Sequence, residues 1–443
     1  MNIKHKTLAV IGTIGMATAA QGAGLDRSGQ DVTAFLQDGT YAEAVYTYID
    51  ADVSGYDNAA NGGISAEDGY VQGKATGDIA EAYDFFRFGV KADINDRYSV
   101  GVLYDEPFGA AIQHFGDSNF NAQNANATIS AMTNGRITSQ AALARAAAAG
   151  LVTASNAQTI GAVARLNAQN EGQGTNVEIR TNNATLLLGR KFNFGKNHWQ
   201  VYGGPSAQRL TGEVHLRGIA YNRATGYDAK ISPDHGLGFL AGVMYGRPEI
   251  ALKASLTYRS RIKHKSDVME TFPALALAGG TASVTQDFSV SFPESYNLDF
   301  QTGVSPTMLL TAKARYVPWS KFTIDPALYK ATTQTSIVDY SKDQWQAEIG
   351  LGKKLNDKIS VSGSIGYDSG AGNPVSTLGP IKGYYSVGLG AKYNLTPEWS
   401  VSLGGKYLKF GDATAQLPTR HVVAKFSDND GYIVGLKLAY QKK

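Results

Sequence analysis

The chain has 443 residues, with 41 basic and 38 acidic side chains and a formal net charge of +3. This balance is too even to indicate nucleic-acid binding. The absence of cysteine excludes disulfides, thiolate metal sites and cysteine nucleophiles. Beyond the N-terminus, no apolar run is long enough for a transmembrane helix.

Residues 1–22 have the pattern of a secretory signal peptide. Lys4 and Lys6 give a basic start, an apolar stretch runs from Leu8 to Met16, and small residues follow. Cleavage is possible after Ala20 or Gly22, and we predict Gly22. The mature chain then begins at Ala23 and is exported, which indicates a Gram-negative bacterium.

Residues 23–40 precede the first strand. They are polar at first and then briefly apolar around Phe35. Two interpretations remain open. The segment forms a short plug inside the fold that follows, pairing Asp26 and Asp31 with basic groups there, or it is a loose tail.

From residue 41 to 443 the sequence repeats one pattern, in which apolar and polar residues alternate strictly. The stretches Tyr385–Tyr393 and Tyr432–Tyr440 are examples, and this period of two is typical of strands with one apolar face. Six short turns alternate with seven longer polar loops, which indicates about fourteen strands. The short turns lie at 94–97, 193–197, 246–250, 303–307, 355–358 and 395–398.

Short turns at one rim and long loops at the other favour an all-β, transmembrane antiparallel β-barrel. A soluble β-sandwich would also alternate. However, the apolar rows tend to end in Trp, Tyr or Phe, as in the aromatic girdles of membrane barrels, and the opposite face is rich in Gly, Ser and charges. We therefore predict a barrel in the outer membrane.

The third predicted strand is interrupted at Pro107, Phe108 and Gly109. Proline inside a strand removes a ladder donor. A kink here would open a hole in a barrel wall.

Residues 119–174 break the alternation. This Ala/Asn-rich segment predicts two short helices on the extracellular side, with Ser139 as an N-cap and Gly150 as a stop. The helices are either a solvated loop decoration or a cap that collects an apolar ligand.

Basic residues dominate the face opposite the apolar rows, which would line the lumen. A cationic lumen favours anionic solutes, and arginine grips a carboxylate with two hydrogen bonds. The candidate ligand-binding residues are Arg87, Lys91, Lys253, Arg259, Arg261, Lys313 and Arg315.

Three segments together resemble the FadL-type outer-membrane transporters of long-chain fatty acids and related hydrophobic compounds. They are AVYTYIDADVSG, GFLAGVMYGRPEIALKASLTYRSRIKH and FPESYNLDFQTGVSPTMLLTAKARYVPWSKF. The resemblance spans nearly the whole mature chain. The combination of Leu-Thr-Tyr-Arg-Ser with the later Phe-Pro-Glu and Tyr-x-x-Trp is its most specific element.

The resemblance implies a fourteen-stranded barrel with an N-terminal hatch. Ligand would be captured at the rim, held in an internal pocket and released laterally beside the third strand at Phe108–Gly109. Movement of Ala23, Gly24 and Leu25 would gate the pocket. The chain departs from the family in its shorter hatch, which lacks an Asn-Pro-Ala motif, and in the position of its helical insertion.

The sequence thus predicts passive uptake of long-chain fatty acids or similar hydrophobic compounds by a monomer, with no cofactor, metal or catalytic residue. Other expected partners are outer-membrane lipid, lipopolysaccharide and the barrel-assembly machinery, but no nucleic acid. One alternative is a general diffusion porin for small polar or anionic solutes. Another is a barrel enzyme with a rim dyad at Asp234-His235, although no nucleophile motif accompanies that pair.

Overall fold

A computed structural model describes residues 24–59, 64–65, 69–417 and 419–442 of the chain. The predicted signal peptide (1–22) and Ala23 lie outside these residues.

The described residues form a closed barrel of fourteen antiparallel strands, which confirms the predicted fold. The ring closes between the first and last strands, in register from Thr40↔Lys442 to Asp52↔Asp430. The strands are β1 Thr40–Asp52, β2 Tyr83–Asp93, β3 Tyr98–Asp105 with Gly109–Gln113, β4 Asn176–Phe194, β5 Asn197–His215, β6 Asp228–Arg247, β7 Leu252–Arg259 with Ile262–Thr271, β8 Ser283–Phe292 with Ser295–Ser305, β9 Met308–Val317, β10 Gln344–Lys354, β11 Ile359–Asp368, β12 Lys382–Asn394, β13 Trp399–Gly411 and β14 Asp430–Lys442.

The outer face carries the apolar rows that the alternation predicted. Along β14, Tyr432, Val434, Leu436 and Leu438 are exposed, whereas Ile433 between them is buried. Aromatic side chains pair across neighbouring strands on this outer face, for example Tyr316 with Trp345, whose ring centroids lie 4.4 Å apart. A face of this kind is stable only against lipid, since water would leave the whole apolar belt hydrated.

Three strands are interrupted, and the interruptions matter for the interior. They fall after Asp105 in β3, after Arg259 in β7 and after Phe292 in β8. Pro107 and Pro293 lie in two of the breaks, where a residue without an N–H leaves a ladder position unfilled.

The long loops form a folded layer over one end of the barrel. A small sheet combines Gly55–Asn58, Ile64–Ser65, Gln72–Ala75, Val375–Ser376, Ala413–Gln416 and His421–Phe426, and a separate pair joins Thr323–Ile324 to Val338–Asp339. The helices are α1 Ala125–Met132, α2 Gln140–Ala148, α3 Ala154–Gln169, α4 Pro273–Leu277 and α5 Ala327–Thr333, with 3-10 turns at Ile219–Ala224, Pro248–Ile250 and Trp319–Lys321.

The helical insertion contains three helices, not the predicted two. Ser139 caps α2 by accepting a hydrogen bond from the Ala142 amide at 3.1 Å, and α2 ends just before Gly150. The unpredicted helix is α1, whose N-cap is Asn124. The sequence could have predicted the start of α1 at Asn124, because asparagine caps helices as well as serine does.

The insertion is packed against the rest of the loop layer. Val163 and Leu166 of α3 are buried, and the Asn167 side chain accepts a hydrogen bond from Thr225 at 2.7 Å. Within the described ranges, no helix is long and apolar enough to cross a membrane.

Candidate functional site: the N-terminal plug and the gap in the wall

Residues 24–39, called the plug below, lie inside the barrel. Val32 and Phe35 are fully buried. The wall makes room for Phe35 with glycine, since a Cβ at Gly101 would lie 2.7 Å from the Phe35 ring. Together with Ala34 and Leu36, Phe35 belongs to a compact apolar cluster with Leu103, Leu187 and Leu240 of the wall.

A buried ion pair holds the first part of the plug. The Arg315 guanidinium donates from Nε to Asp26 Oδ2 at 2.6 Å and from Nη2 to Asp26 Oδ1 at 3.1 Å. Its remaining donor, Nη1, reaches Asn297 Oδ1 at 2.8 Å. This two-pronged geometry is the strongest form of carboxylate recognition.

A second cluster is centred on Asp31. Its carboxylate lies 3.0 Å from Lys313 and 3.3 Å from Arg87. Burial alone would raise the pKa of Asp31, but the charges of Lys313 and Arg87 outweigh burial and hold this pKa well below its usual range. Arg87 also lies 3.4 Å from Glu43, which is 3.7 Å from Lys437.

Three further predicted lumen residues contact the plug or its end. Lys253 donates to the Leu36 carbonyl at 3.1 Å. Arg259 donates to the Gln30 carbonyl at 3.2 Å. Lys91 donates to the Gly39 carbonyl at 2.8 Å, and its ammonium is 2.5 Å from Asp93.

The structure therefore brings six of the seven predicted basic residues together, but around the plug. In this state their charges are matched by protein carboxylates and carbonyls. A ligand at Arg315 or Lys313 would therefore have to compete with the Asp26 and Asp31 carboxylates of the plug.

Arg261 does not face the lumen, which corrects the prediction. Its side chain is 47% exposed and lies 3.1 Å from Glu294. The break in β7 shifts the alternation by one residue, so that Arg259 and Ile262 point inward while Arg261 points outward. A one-residue slip of this kind moves every later side chain to the other face.

The barrel wall has a gap between β2 and β3. Their ladder runs only from Phe88↔Tyr104 to Asp93↔Ser99. Beyond the break, Gly109–Gln113 of β3 pairs with β4, not with β2. Among the described residues, a single bridge, Ala80↔Ile112, joins the two sides above the gap.

The plug crosses the inner side of this gap. Asp26 and Phe108 form an antiparallel bridge, in which the Arg27 amide donates to the Pro107 carbonyl and the Gly109 amide to the Leu25 carbonyl, both at 2.8 Å. The start of the plug, Gly24 and Leu25, thus contacts the break in the third strand at Pro107–Gly109. Gly24 also lies against the buried Trp319 ring, which a Cβ at this position would approach to 2.8 Å.

Arg27, which the sequence did not single out for ligand binding, fills the gap itself. Its guanidinium carbon lies 3.9 Å from the Tyr83 ring centroid and only 2.6 Å from where a Cβ would stand at Gly109. The residue is 3% exposed, and neither Nε nor Nη2 has a hydrogen-bond partner.

Two apolar cavities flank this point. The gap cavity is lined by Gly24, Asp26, Ile79, Gly109, Ile112 and Ile381, among others. The loop cavity lies beneath the loop layer and is lined by Leu25, Ile179, Ile231, Ile337, Tyr340 and Leu378, among others. Ala110 contributes to both.

The Asp234-His235 pair does not form a dyad. Asp234 instead accepts a hydrogen bond from His264 Nδ1 at 2.9 Å, and His264 Nε2 lies 3.1 Å from Gln208. His235 is exposed on the outer face. Within the described part of the chain, no group of His, Asp and Glu is arranged to hold a metal ion.

Comparison with known proteins gave one family and several solved structures. The family model described as outer membrane protein transport protein (OMPP1/FadL/TodX) matches residues 32–441. None of the curated proteins searched matches the chain.

Among similar solved structures is a FadL homologue from Pseudomonas aeruginosa, with a TM-score of 0.65, 15% identity and 96% of each chain covered. The toluene transporter TodX of Pseudomonas putida has a TM-score of 0.55 at 11% identity, over 92% of this chain and 91% of that chain. The toluene transporter TbuX of Ralstonia pickettii has a TM-score of 0.51 at 10% identity, over 96% and 97%. At these identities the likeness shows a shared fold.

Proposed function

Because the chain belongs to the OMPP1/FadL/TodX family of outer-membrane transport proteins, we propose that it takes up long-chain fatty acids or similar hydrophobic compounds by passive diffusion and releases them laterally into the membrane. The cargo would enter from the loop layer, occupy the apolar loop cavity and leave through the gap between β2 and β3.

One observation carries this proposal. The plug closes the gap through the Asp26↔Phe108 bridge, and apolar cavities lie directly beside that contact. A closed barrel normally has no free edges, so a break covered by a short terminal segment is a natural exit. Gly24 and Leu25, together with Ala23 at the predicted mature N-terminus, would form the movable gate, and Pro107–Gly109 its frame.

A general porin is the competing function. It would need a lumen open to water, whereas Val32, Phe35 and Leu36 of the plug are buried inside the barrel. The charges of Arg87 and Lys313 are also matched by Asp31, so neither is free for an anionic solute in this state.

Uptake by a deletion strain tests the proposal. We expect the strain to take up oleate more slowly than its parent, and complementation with the intact gene to restore the rate. Unchanged uptake of oleate, toluene and alkanes would reject hydrophobic transport. A loss confined to toluene or alkanes would retain transport and reject the fatty-acid assignment.

Conductance of the purified protein in planar bilayers separates the two functions. A hydrophobic transporter with its plug in place should be nearly silent. Large and steady channels would support the porin instead.

The remaining expectations belong to the same proposal. The chain would be exported by its 1–22 signal peptide, inserted by the barrel-assembly machinery and surrounded by outer-membrane lipid and lipopolysaccharide as a monomer. It would carry out no catalysis.

A further inference from the structure

Arg27 is the one guanidinium in the described interior that has no acidic partner within salt-bridge distance and whose Nε and Nη2 also lack hydrogen-bond partners. Arg87, Arg259 and Arg315 each have an acidic group within 3.9 Å, and Arg217 lies 2.7 Å from Asp228. Arg27 has only the face of Tyr83 and the backbone around Gly109.

This arrangement is costly for the protein alone. A buried charge without a partner is destabilising in general, and contact with the face of an aromatic ring compensates for only part of that cost. Two N–H-bearing atoms, Nε and Nη2, remain unsatisfied. The site is therefore incomplete in this state and calls for an acceptor.

The carboxylates nearby do not fill that role. Glu178 is engaged by Arg180, whose Nε lies 2.5 Å from Glu178 Oε1. Glu106 influences Arg27 through its charge but accepts no hydrogen bond from it. Asp26, the neighbour in sequence, is committed to Arg315.

The surroundings define the rest of the ligand. Gly109, against which the guanidinium lies, also lines the gap cavity, and Ala110 beside it lines both cavities. A ligand whose head meets Arg27 would thus have an apolar space next to it for its body. A ligand with an apolar chain and an anionic head at adjacent positions would fit this site, and a monocarboxylate amphiphile has both.

We propose that Arg27 is a carboxylate-binding residue set in the lateral gap, so that the cargo binds at its exit through its head group and carboxylates are preferred over neutral hydrocarbons. This inference rests on the proposed function. It adds a residue and a selectivity to it. Planar, two-pronged pairing of guanidinium and carboxylate supplies the recognition.

The chain provides its own reporter for a test. Trp319 is buried beside Gly24 and Phe108, whereas the other three tryptophans are exposed on the outer face. In a background carrying Trp199→Phe, Trp345→Phe and Trp399→Phe, quenching of the remaining tryptophan reports a brominated ligand near the gap. The two probes are 2-bromopalmitic acid, which is ionised at neutral pH, and 2-bromohexadecan-1-ol, in both of which the bromine lies next to the head group.

In this background we expect the acid to bind at least about tenfold more tightly than the alcohol, since hydrogen bonds to a charged group contribute that much or more. Arg27→Met should remove this preference by weakening the acid alone. Arg27→Lys, which keeps the charge, should retain part of it. Arg247→Met is the matched control, because Arg247 is an exposed arginine paired with Glu249 at the turn between β6 and β7, and it should change neither affinity.

Each other outcome has a definite meaning. If Arg27→Met weakens acid and alcohol equally, Arg27 is only a packing element of the plug and the inference is wrong. If Arg27→Met weakens neither, the inference is wrong while the proposed function stands. If neither probe quenches Trp319 in the parent background, no amphiphile binds beside the gap and the inference is wrong, while oleate uptake by the deletion strain still decides the proposed function.

Discussion

Asp26 and Arg315 are 289 residues apart in the chain, yet they form a two-pronged ion pair that fastens the plug to β9 inside the barrel. Asp26 is also the residue that bridges Phe108 at the gap. Asp26 therefore joins the plug to β9 through its side chain and to the edge of the gap through the backbone on either side of it.

Arg315→Met should release the plug. It would leave the Asp26 carboxylate buried without its partner, which costs about 3–5 kcal/mol. Since the chain has no cysteine, Ser28→Cys in the plug gives a single thiol, and we expect maleimide to label it faster in the Arg315→Met background. Arg209→Met, an exposed arginine on β5, is the control and should leave labelling slow. Equal labelling rates in all three proteins would contradict the role of the ion pair.

A disulfide between plug and wall should close the exit. Asp26 and Phe108 face each other as a non-hydrogen-bonded pair, a position where Cα atoms lie about 4.5 Å apart, within the range that a disulfide spans. We expect the Asp26→Cys/Phe108→Cys protein to transport oleate when reduced and to lose transport when oxidised.

The single variants control for the loss of Asp26 and of the Phe108 ring. They should respond to neither oxidant nor reductant. Undiminished transport by a fully oxidised double variant would show that the cargo does not leave through this gap.

Glu270→Gln should loosen the loop layer without opening the barrel. The buried Glu270 carboxylate accepts hydrogen bonds from Tyr227 Oη at 2.8 Å and from the amides of Leu328 and Tyr329 at 2.9 and 2.8 Å. It thereby caps the N-terminus of α5, and hydrogen bonds to a charged acceptor contribute about 1.5–3 kcal/mol each.

Hydrogen exchange measures this effect. Amides of Ala327–Thr333 should exchange faster in Glu270→Gln, while those of β9 keep their protection. Asp287→Asn, an exposed carboxylate on β8, is the control. Unchanged protection of α5 would mean that its apolar contacts alone hold it.

Acid should destabilise the loop that follows β3. His114 is buried against the Phe120 ring, with centroids 4.5 Å apart, and burial lowers the pKa of His114 to about 3. A base whose pKa falls on folding makes the folded loop less stable as the pH drops below the unfolded value near 6.5, by up to about 1.4 kcal/mol per pH unit.

His114→Phe should abolish this pH dependence, because neither His114 nitrogen has a hydrogen-bond partner to lose. The readout is the protection of the Thr175 amide, which bonds to the Phe120 carbonyl at 2.9 Å, after correction for intrinsic exchange. The wild type should lose protection between about pH 6.5 and 4, in the range set by that shift, and the variant should not. Parallel profiles for both proteins would contradict the assignment.

The sequence by itself determined the strands, the turns and the outward apolar rows, because alternation and turn chemistry are local properties of a few consecutive residues. Tyr432, Val434, Leu436 and Leu438 face outward, as their alternation with the residues between them predicted. It also located the broken third strand, since proline has no N–H wherever it lies. The missed helix α1 could also have been predicted from the sequence, from Asn124 as its N-cap and the alanines that follow.

Only the tertiary structure decided what the inward charges do. Arg315 and Lys313 face the lumen by alternation, but their partners come from the plug nearly 290 residues away, and no local signal announces such a pairing. Arg261 turned outward because a break in β7 shifted the alternation. Arg27 acquired its place in the gap because the plug crosses β3 there and Gly109 leaves it room. The charge of a side chain and the face of the strand on which it lies are local properties, whereas its ion-pair partner depends on how distant segments pack.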